Sequence, residues 1–417
     1  YSGYSGKYSA NQERTSSAMQ TANPPAAALD LPAAERQPLG RSAAWLTVSQ
    51  LVHSSASFLA LLLFARWEGL HAAGDFSYAL AVSAPVVQLL SLQLKALLLT
   101  HSREEFPLVL ALSVRALSAP AVLLLALTLF TVSSPLAGIW LLIRTVDAWA
   151  ELLQSEHQRL HHPLAACWGG FIRTPLFLFC IFLTSDPTLS SLAYLALSIA
   201  ILFLVDARCL RWSFNFDPEP LRYWVRRGAA LGVVLFLYLA AANMPRLVLE
   251  HYAGPAALGV FAALFISAQT GSLMASALGQ SLLPLFSVSS PKRILAWLGL
   301  PALGALAFLP ILYRFDTVLL NVLRIPPSLE NLHLIHTTAW CQCLIWPAAM
   351  AGYALTARRL YGPLQKVAWG MLAVSAVSSL LLIPVLGANG AALAAACQSG
   401  LLLGVTSFLL ASGAESR

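Results

Sequence analysis

The sequence predicts an all-α polytopic membrane protein, with about twelve transmembrane helices in two pseudo-symmetric six-helix bundles around a central cavity. Three observations predict this fold class. Hydrophobic residues make up 58% of the 417 residues and charged residues only 10%, whereas soluble domains carry about 25% charged residues. The apolar residues form long runs, and a short segment of the first half recurs in the second. This composition excludes a soluble globular protein.

Twelve apolar stretches are each long enough to cross a bilayer, which takes about 20 residues. They cover residues 43–65, 75–98, 107–130, 136–155, 163–183, 188–207, 228–250, 255–281, 294–313, 331–357, 363–384 and 388–411. Several contain proline, for example Pro85 and Pro175. Spanning helices tolerate proline when neighbouring helices satisfy the freed backbone groups. We therefore expect kinked helices around a cavity.

The same pattern divides the chain into segments. Residues 1–40 are rich in Ser, Ala, Pro and Gln and have no periodic apolar face, which predicts a disordered cytoplasmic tail. A first six-helix bundle is expected at 41–207, a basic cytoplasmic linker at 208–227, a second bundle at 228–411 and a short tail at 412–417.

Charge predicts the orientation, because short cytoplasmic loops retain Lys and Arg. With the N-terminus inside, seventeen of the 25 Lys and Arg residues fall on the cytoplasmic side. Only Arg66, Arg314 and Arg324 fall outside. Both termini are therefore predicted to be cytoplasmic.

An internal repeat supports the two bundles. Residues 67–76 align with 252–261 without a gap, at a constant offset of 185. The identical pairs are Gly69/Gly254, Ala72/Ala257, Gly74/Gly259 and Phe76/Phe261. Both copies form the outer link between the first and second span of a six-span set. A parallel repeat of this kind places the substrate path of a transporter between the two halves.

Five cations fall within the predicted spans, where a charge costs about 2.5–3.5 kcal/mol and marks a candidate pathway. They are Lys95, Arg115, Arg144, Arg173 and Arg246. We interpret them as the wall of a cationic cavity, since the guanidinium fork suits phosphate oxygens. The alternative is that cations near span ends, such as Lys95 and Arg246, snorkel to the interface.

Uncharged polar residues follow helical spacing in several spans and predict a hydrated lumen. They are Gln50, His53, Ser54 and Ser57 in the first span; Gln88 and Ser91, on one face with Lys95, in the second; Asn243 in the seventh; and Gln269, Ser272 and Ser276 in the eighth. Polar packing between helices, worth about 0.6 kcal/mol per contact, is the alternative.

Asp147, Glu151 and His53 are the candidates for ion coupling, and Arg144 is spaced to pair with Asp147. The chain has no metal-ligand spacing, phosphate loop or nucleophile elbow. We therefore expect no metal, no cofactor, no catalytic residues and no enzymatic activity. A basic face for nucleic acid is not expected either.

Several short motifs stand out at the start of the second half, in the first outer link and at the start of the last span. They are Leu221-Arg-Tyr-Trp-Val-Arg-Arg-Gly228, Pro245-Arg246-Leu-Val-Leu249, Tyr252-Ala-Gly254, Leu258-Gly259-Val-Phe261, residues 63–76, and Gly387-Ala-Asn-Gly390-Ala-Ala-Leu393. Together they resemble the motifs of Wzx-type polysaccharide flippases of the multidrug/oligosaccharidyl-lipid/polysaccharide exporter (MOP) superfamily. Members often carry an acidic residue just before the Arg of the seventh span, where this chain has Pro245.

The resemblance implies a bacterial inner-membrane flippase that moves a polyprenyl-diphosphate-linked oligosaccharide or polysaccharide repeat unit to the periplasmic leaflet by alternating access. Its partners would be the lipid-linked glycan, membrane lipid, and the glycan polymerase and glycosyltransferases of the same pathway. A multidrug or organic-cation exporter of the same superfamily is the alternative. A membrane-embedded glycan polymerase or ligase is the alternative of another class.

Overall fold

The computed structural model describes residues 39–101, 103–159, 163–207, 213–358 and 360–412. Thirteen α-helices lie in these ranges: α1 (Leu39–Trp67), α2 (Leu70–Ser91), α3 (Leu94–Thr100), α4 (Leu108–Thr128), α5 (Pro135–Arg159), α6 (Pro163–Thr184), α7 (Pro187–Ile201), α8 (Pro218–Leu264), α9 (Ile266–Val288), α10 (Pro291–Arg314), α11 (Asp316–Val322), α12 (Leu329–Ala357) and α13 (Tyr361–Ala411). Short π-helices follow α4 at Leu129–Ser133 and α7 at Leu202–Asp206. The described ranges contain no strand.

The all-α class is confirmed, and all twelve predicted spans lie on helices. Within the described ranges, seven helices are long and apolar enough to cross a membrane. Two of them, α8 and α13, have 47 and 51 residues, about twice what one crossing uses. Each is two helices joined at a glycine with non-helical dihedrals, Gly254 in α8 and Gly387 in α13. These joints separate the seventh from the eighth predicted span and the eleventh from the twelfth.

The helices pack as two lobes, α1–α7 and α8–α13. In the first lobe α5 packs against α2, α4, α6 and α7, and in the second α12 packs against α9, α10 and α13. The lobes meet where α2 runs along α8. The eighth helix begins at Pro218, inside the predicted linker, because Asp217 caps its N-terminus by accepting from the Glu219 N–H. Residues 1–38 of the predicted N-terminal tail lie outside the described residues.

The internal repeat reappears as backbone geometry. Gly69 ends the first link with φ 93° and ψ 178°, and Gly254 ends the second with φ 78° and ψ 174°. These positive φ values favour glycine, which has no Cβ to clash with the backbone. The residues that the sequence aligns at an offset of 185 thus make the same turn in both lobes.

The repeat also builds the contact between the lobes. A Cβ on Gly74 would overlap the carbonyl oxygen of Pro255 and lie 2.6 Å from its carbonyl carbon. A Cβ on Gly259 would overlap the oxygen of Leu70 and lie 2.8 Å from its carbonyl carbon. At the offset of 185, Gly74 is equivalent to Gly259 and Leu70 is equivalent to Pro255. The two contacts are therefore related by pseudo-two-fold symmetry. We call these four residues the glycine crossing.

One local prediction is wrong. Gln88, Ser91 and Lys95 do not share one helix face, because the helix breaks after Ser91. Leu92 and Gln93 both have left-handed φ values, 51° and 50°, and Lys95 belongs to the separate helix α3. The Gln93 amide donates to Gln88 Oε1 across the break at 2.5 Å.

Candidate functional site

A buried ion pair occupies the core of the first lobe. Arg173 of α6 donates from Nη2 to Asp206 Oδ2 at 2.5 Å, and each residue is only 2% exposed. Arg173 Nε also lies 3.9 Å from Asp147 Oδ1 of α5. Moving each ion out of water costs several kcal/mol, so such a pair persists only when both charges are matched and hydrogen-bonded. We call Asp147, Arg173 and Asp206 the first-lobe charge cluster.

Local structure positions the cluster. Asp206 is the last residue of the π-helix Leu202–Asp206, whose wider turn continues α7. Gln154 of α5 donates from Nε2 to Asp206 Oδ1 at 3.1 Å, so both carboxylate oxygens have a partner. Gly169 leaves the space, because a Cβ there would collide with the Asp206 carboxylate and lie 2.6 Å from Gln154 Nε2. Two helices, α5 and α6, therefore converge on the Asp206 carboxylate.

Arg173 was predicted as a cation of an open cavity, and the structure places it in this cluster instead. Two carboxylates face it, so its charge is neutralised within its own lobe. Charge matching makes it a poor free anion ligand, and we do not propose that role for it. Asp147, a predicted coupling residue, is drawn into the same cluster rather than into a pair with Arg144.

Arg144 lies one helical turn before Asp147 on α5. Its guanidinium carbon is 5.8 Å from the centroid of the Trp140 ring, and its Nε is buried without a hydrogen-bond partner among the described residues. Trp140 is held by donating from its indole N–H to Ser191 Oγ at 3.0 Å. The contact between cation and ring compensates part of the lost hydration, and the guanidinium retains donors for a ligand.

Arg115 and Arg246 are also held by neutral groups. Arg115 of α4 is 4% exposed and donates to the Ala148 carbonyl oxygen at 3.5 Å, with Glu151 near enough to act on it electrostatically. Arg246 of α8 is half-buried and donates to Asn243 Oδ1 at 3.2 Å. Within the described ranges, neither of these residues nor Arg144 makes an ion pair. Glu151 itself is exposed.

The predicted polar lining is largely occupied by local hydrogen bonds. Ser91 donates to the Gln88 carbonyl oxygen at 3.0 Å, and Ser272 donates to that of Gln269 at 2.8 Å. Asn243 donates to the Leu239 carbonyl oxygen at 2.9 Å. The remaining described members, Ser57, Ser276 and Lys95, are half-buried. The side chains of Gln50, His53 and Ser54 lie outside the described residues.

Asp206 and Gln154 were missed by the sequence analysis. Asp206 is the only acidic residue of the predicted span 188–207. An acid at membrane depth costs as much free energy as the cations that were counted there. This cost could have identified Asp206 from the sequence.

No family model matches the chain, and no curated protein matches its sequence. Solved structures do match. The chain is similar to an inward-facing conformation of a multidrug resistance MATE family transporter of the MOP superfamily, with a TM-score of 0.68 at 12% identity; the match covers 86% of this chain and 94% of that chain. It is also similar to the lipid II flippase MurJ in an inward closed conformation, with a TM-score of 0.62 at 13% identity, covering 88% and 87%.

A third similar structure is a MOP superfamily transporter from Pyrococcus furiosus, described as having a binding pocket of reverse polarity. Its TM-score is 0.55 at 12% identity, with 89% of this chain and 95% of that chain covered. At sequence identities this low, the similarity concerns the fold alone. The chain has the two-lobe helical fold of MOP superfamily transporters.

Proposed function

We propose that this protein is a flippase that carries a polyprenyl-diphosphate-linked glycan from the cytoplasmic to the periplasmic leaflet of a bacterial inner membrane. Both termini would be cytoplasmic, and the glycosyltransferases and polymerase of the same pathway would supply and consume the glycan. The similarity to transporters and to a lipid II flippase supports the general class. The charges of the first lobe support a substrate with an anionic diphosphate group.

The observation that carries the proposal is the imbalance between paired and unpaired charges. The buried acids Asp147 and Asp206 face Arg173. Arg115 donates to a carbonyl oxygen near Glu151, Arg144 lies against an aromatic ring, and neither makes an ion pair within the described ranges. Cations with spare donors bind an anion such as diphosphate. An exporter of organic cations instead needs an unpaired acidic side chain that can bind the cationic substrate.

We assign the diphosphate to Arg115 and Arg144, with Lys95 and Arg246 as further contacts along the path. Ion coupling is assigned to Asp147, because its protonation would weaken the electrostatic attraction to the nearby Arg173. The polyprenyl chain would stay in the surrounding hydrocarbon, because burying its apolar carbons in a charged chamber gains nothing.

The test uses purified protein in proteoliposomes that contain a fluorescent polyprenyl-diphosphate-linked oligosaccharide. We expect transbilayer movement by the wild type, and a rate lower by about 10- to 100-fold for Arg144→Gln, since a hydrogen bond to a charged group contributes about 1.5–3 kcal/mol. Arg115→Gln should act in the same direction. Arg222→Gln is the matched control, because Arg222 is exposed at the start of α8.

Two results would contradict the proposal. One is wild-type transport by both Arg144→Gln and Arg115→Gln. The other is equal movement of a polyprenyl-linked glycan without phosphate, because the cations would then have no role in recognition.

A further inference from the structure

A pocket of about 380 Å³ lies in the second lobe, between α12 and the joint of α13 at Gly387. Its wall consists of His333, His336, Thr337, Trp340, Leu386, Asn389 and Leu393. Trp340 follows the first residue of α12 by eleven positions, about 16 Å along the helix from the predicted outer end. The pocket thus lies in the outer half of the predicted membrane.

The aromatic side of the pocket is held rigidly. Trp340 donates from its indole N–H to the Tyr313 hydroxyl at 3.1 Å. The Tyr313 ring stacks on His336 with centroids 4.0 Å apart, and His336 Nε2 lies 3.1 Å from Asp316 Oδ2. Three helices, α10, α11 and α12, therefore fix the Trp340 ring, which remains 58% exposed.

The opposite side offers hydrogen bonds. Asn389 lies just after the Gly387 joint, and its Oδ1 is buried without a hydrogen-bond partner in the described part of the chain. Buried polar atoms are normally paired. A ligand hydroxyl that reached this amide would therefore be stabilised, and Thr337 and His333 supply further polar groups on the α12 side.

The wall contains no Lys, Arg, Asp or Glu side chain. A diphosphate would find no countercharge here, and an acyl chain would leave the amide, hydroxyl and imidazole groups unpaired. Trp at a membrane interface commonly serves as an anchor with its N–H toward water, but the Trp340 N–H is bound to Tyr313. An exposed ring beside amide, hydroxyl and imidazole groups matches a sugar, which has an apolar C–H face and a rim of hydroxyls.

We infer that this pocket is a carbohydrate subsite, in which a sugar ring stacks on Trp340 and donates a hydroxyl to Asn389. Its volume is at the lower end of ligand pockets, roughly 300–1,000 Å³, and has room for about one or two sugar rings. The inference rests on the proposed function, since the sugar would be the headgroup of the lipid-linked glycan after its diphosphate has bound in the first lobe.

The experiment is saturation-transfer-difference NMR on the protein in lipid nanodiscs with phosphate-free probes: the methyl glycosides of glucose, galactose, mannose and N-acetylglucosamine, and their disaccharides. We expect transfer to at least one probe, and binding about tenfold weaker in Trp340→Ala because the stacking partner is lost. Asn389→Leu keeps the side-chain volume and should also weaken binding. Trp369→Ala is the control, since Trp369 is 54% exposed near the N-terminal end of α13 and lies outside the pocket.

Absence of transfer to every probe, or equal transfer in wild type and Trp340→Ala, overturns the inference. The proteoliposome assay reports separately on the proposed function. Glycoside binding without transbilayer movement would refute flipping and leave the sugar subsite, whereas movement without glycoside binding would do the reverse.

Discussion

The glycine crossing sets how closely the lobes approach, so adding one methyl group there should separate them. In Gly74→Ala the new Cβ would overlap the Pro255 carbonyl, and in Gly259→Ala it would overlap the Leu70 carbonyl. Both obstacles are backbone atoms, which cannot rotate away as a side chain can. We therefore expect both substitutions to force α2 and α8 apart at the predicted outer end.

The magnitude follows from the distances. The Cβ would lie 2.6 Å from the Pro255 carbonyl carbon or 2.8 Å from that of Leu70, whereas ordinary contacts begin at 3.4 Å. The carbonyl oxygens lie nearer still, so the helices must part by roughly 1–2 Å, and overpacking of this kind costs roughly 1–3 kcal/mol. Opening the outer side removes the overlap. The closed state should therefore lose about 5- to 150-fold in population relative to any outward-open state, and both substitutions should act to a similar extent.

Double electron–electron resonance measures this in nanodiscs, with spin labels on cysteines introduced at His71 and Tyr252 in a background without the native cysteines. We expect a longer, broader distance distribution and a lower unfolding midpoint for Gly74→Ala and Gly259→Ala. Gly299→Ala is the matched control, because nothing lies within 4 Å of a Cβ there, and alanine improves the helix by about 0.5–1 kcal/mol. Unchanged distances and midpoints in both crossing variants would refute the reasoning.

Two further predictions concern the first-lobe charge cluster. Arg173→Met and Asp206→Leu should each destabilise the protein by about 3–5 kcal/mol, because Arg173→Met leaves the buried Asp206 without its cation and Asp206→Leu leaves Arg173 without its nearest carboxylate, while the double variant should recover much of the loss; thermal unfolding in a double-mutant cycle tests this, and additive losses would contradict it. Gly169→Ala should displace the Asp206 carboxylate and lower the unfolding midpoint, whereas Gly362→Ala, where nothing lies within 4 Å, should not; equal midpoints for the two variants would remove the proposed packing role.

The sequence predicted the helical segments well because burial in lipid imposes its requirement locally. A run of about 20 apolar residues suffices, whatever its neighbours. The repeat was informative for a related reason. Gly69 and Gly254 occupy turns whose positive φ excludes most side chains, so the constraint is visible in the residue type. The pairing of Gly74 with Pro255 was not visible, since it depends on two helices meeting.

The break after Ser91 illustrates the limit of periodicity. Leu92 and Gln93 carry no turn signal, yet both take left-handed φ, a conformation that costs roughly 1–2 kcal/mol per residue. The neighbouring helix helps to accommodate it, because Gly228 and Gly232 let the α8 backbone approach Leu92 and Leu89. A tertiary contact thus overrode a regular sequence pattern.

The sequence by itself determined which segments enter the membrane, where the chain repeats and which residues place charge at depth, because hydrophobicity, glycine turns and ionisable groups are properties of single residues. Only the tertiary structure decided which charges neutralise one another. The sequence predicts Arg173 to be an unpaired cation, but a π-helical turn brings Asp206, 33 residues further along the chain, into contact with it. Arg144, on a neighbouring helix, meets Trp140 instead. Ion pairing depends on distances of a few ångströms across helices, and those distances exist only once the lobe has packed.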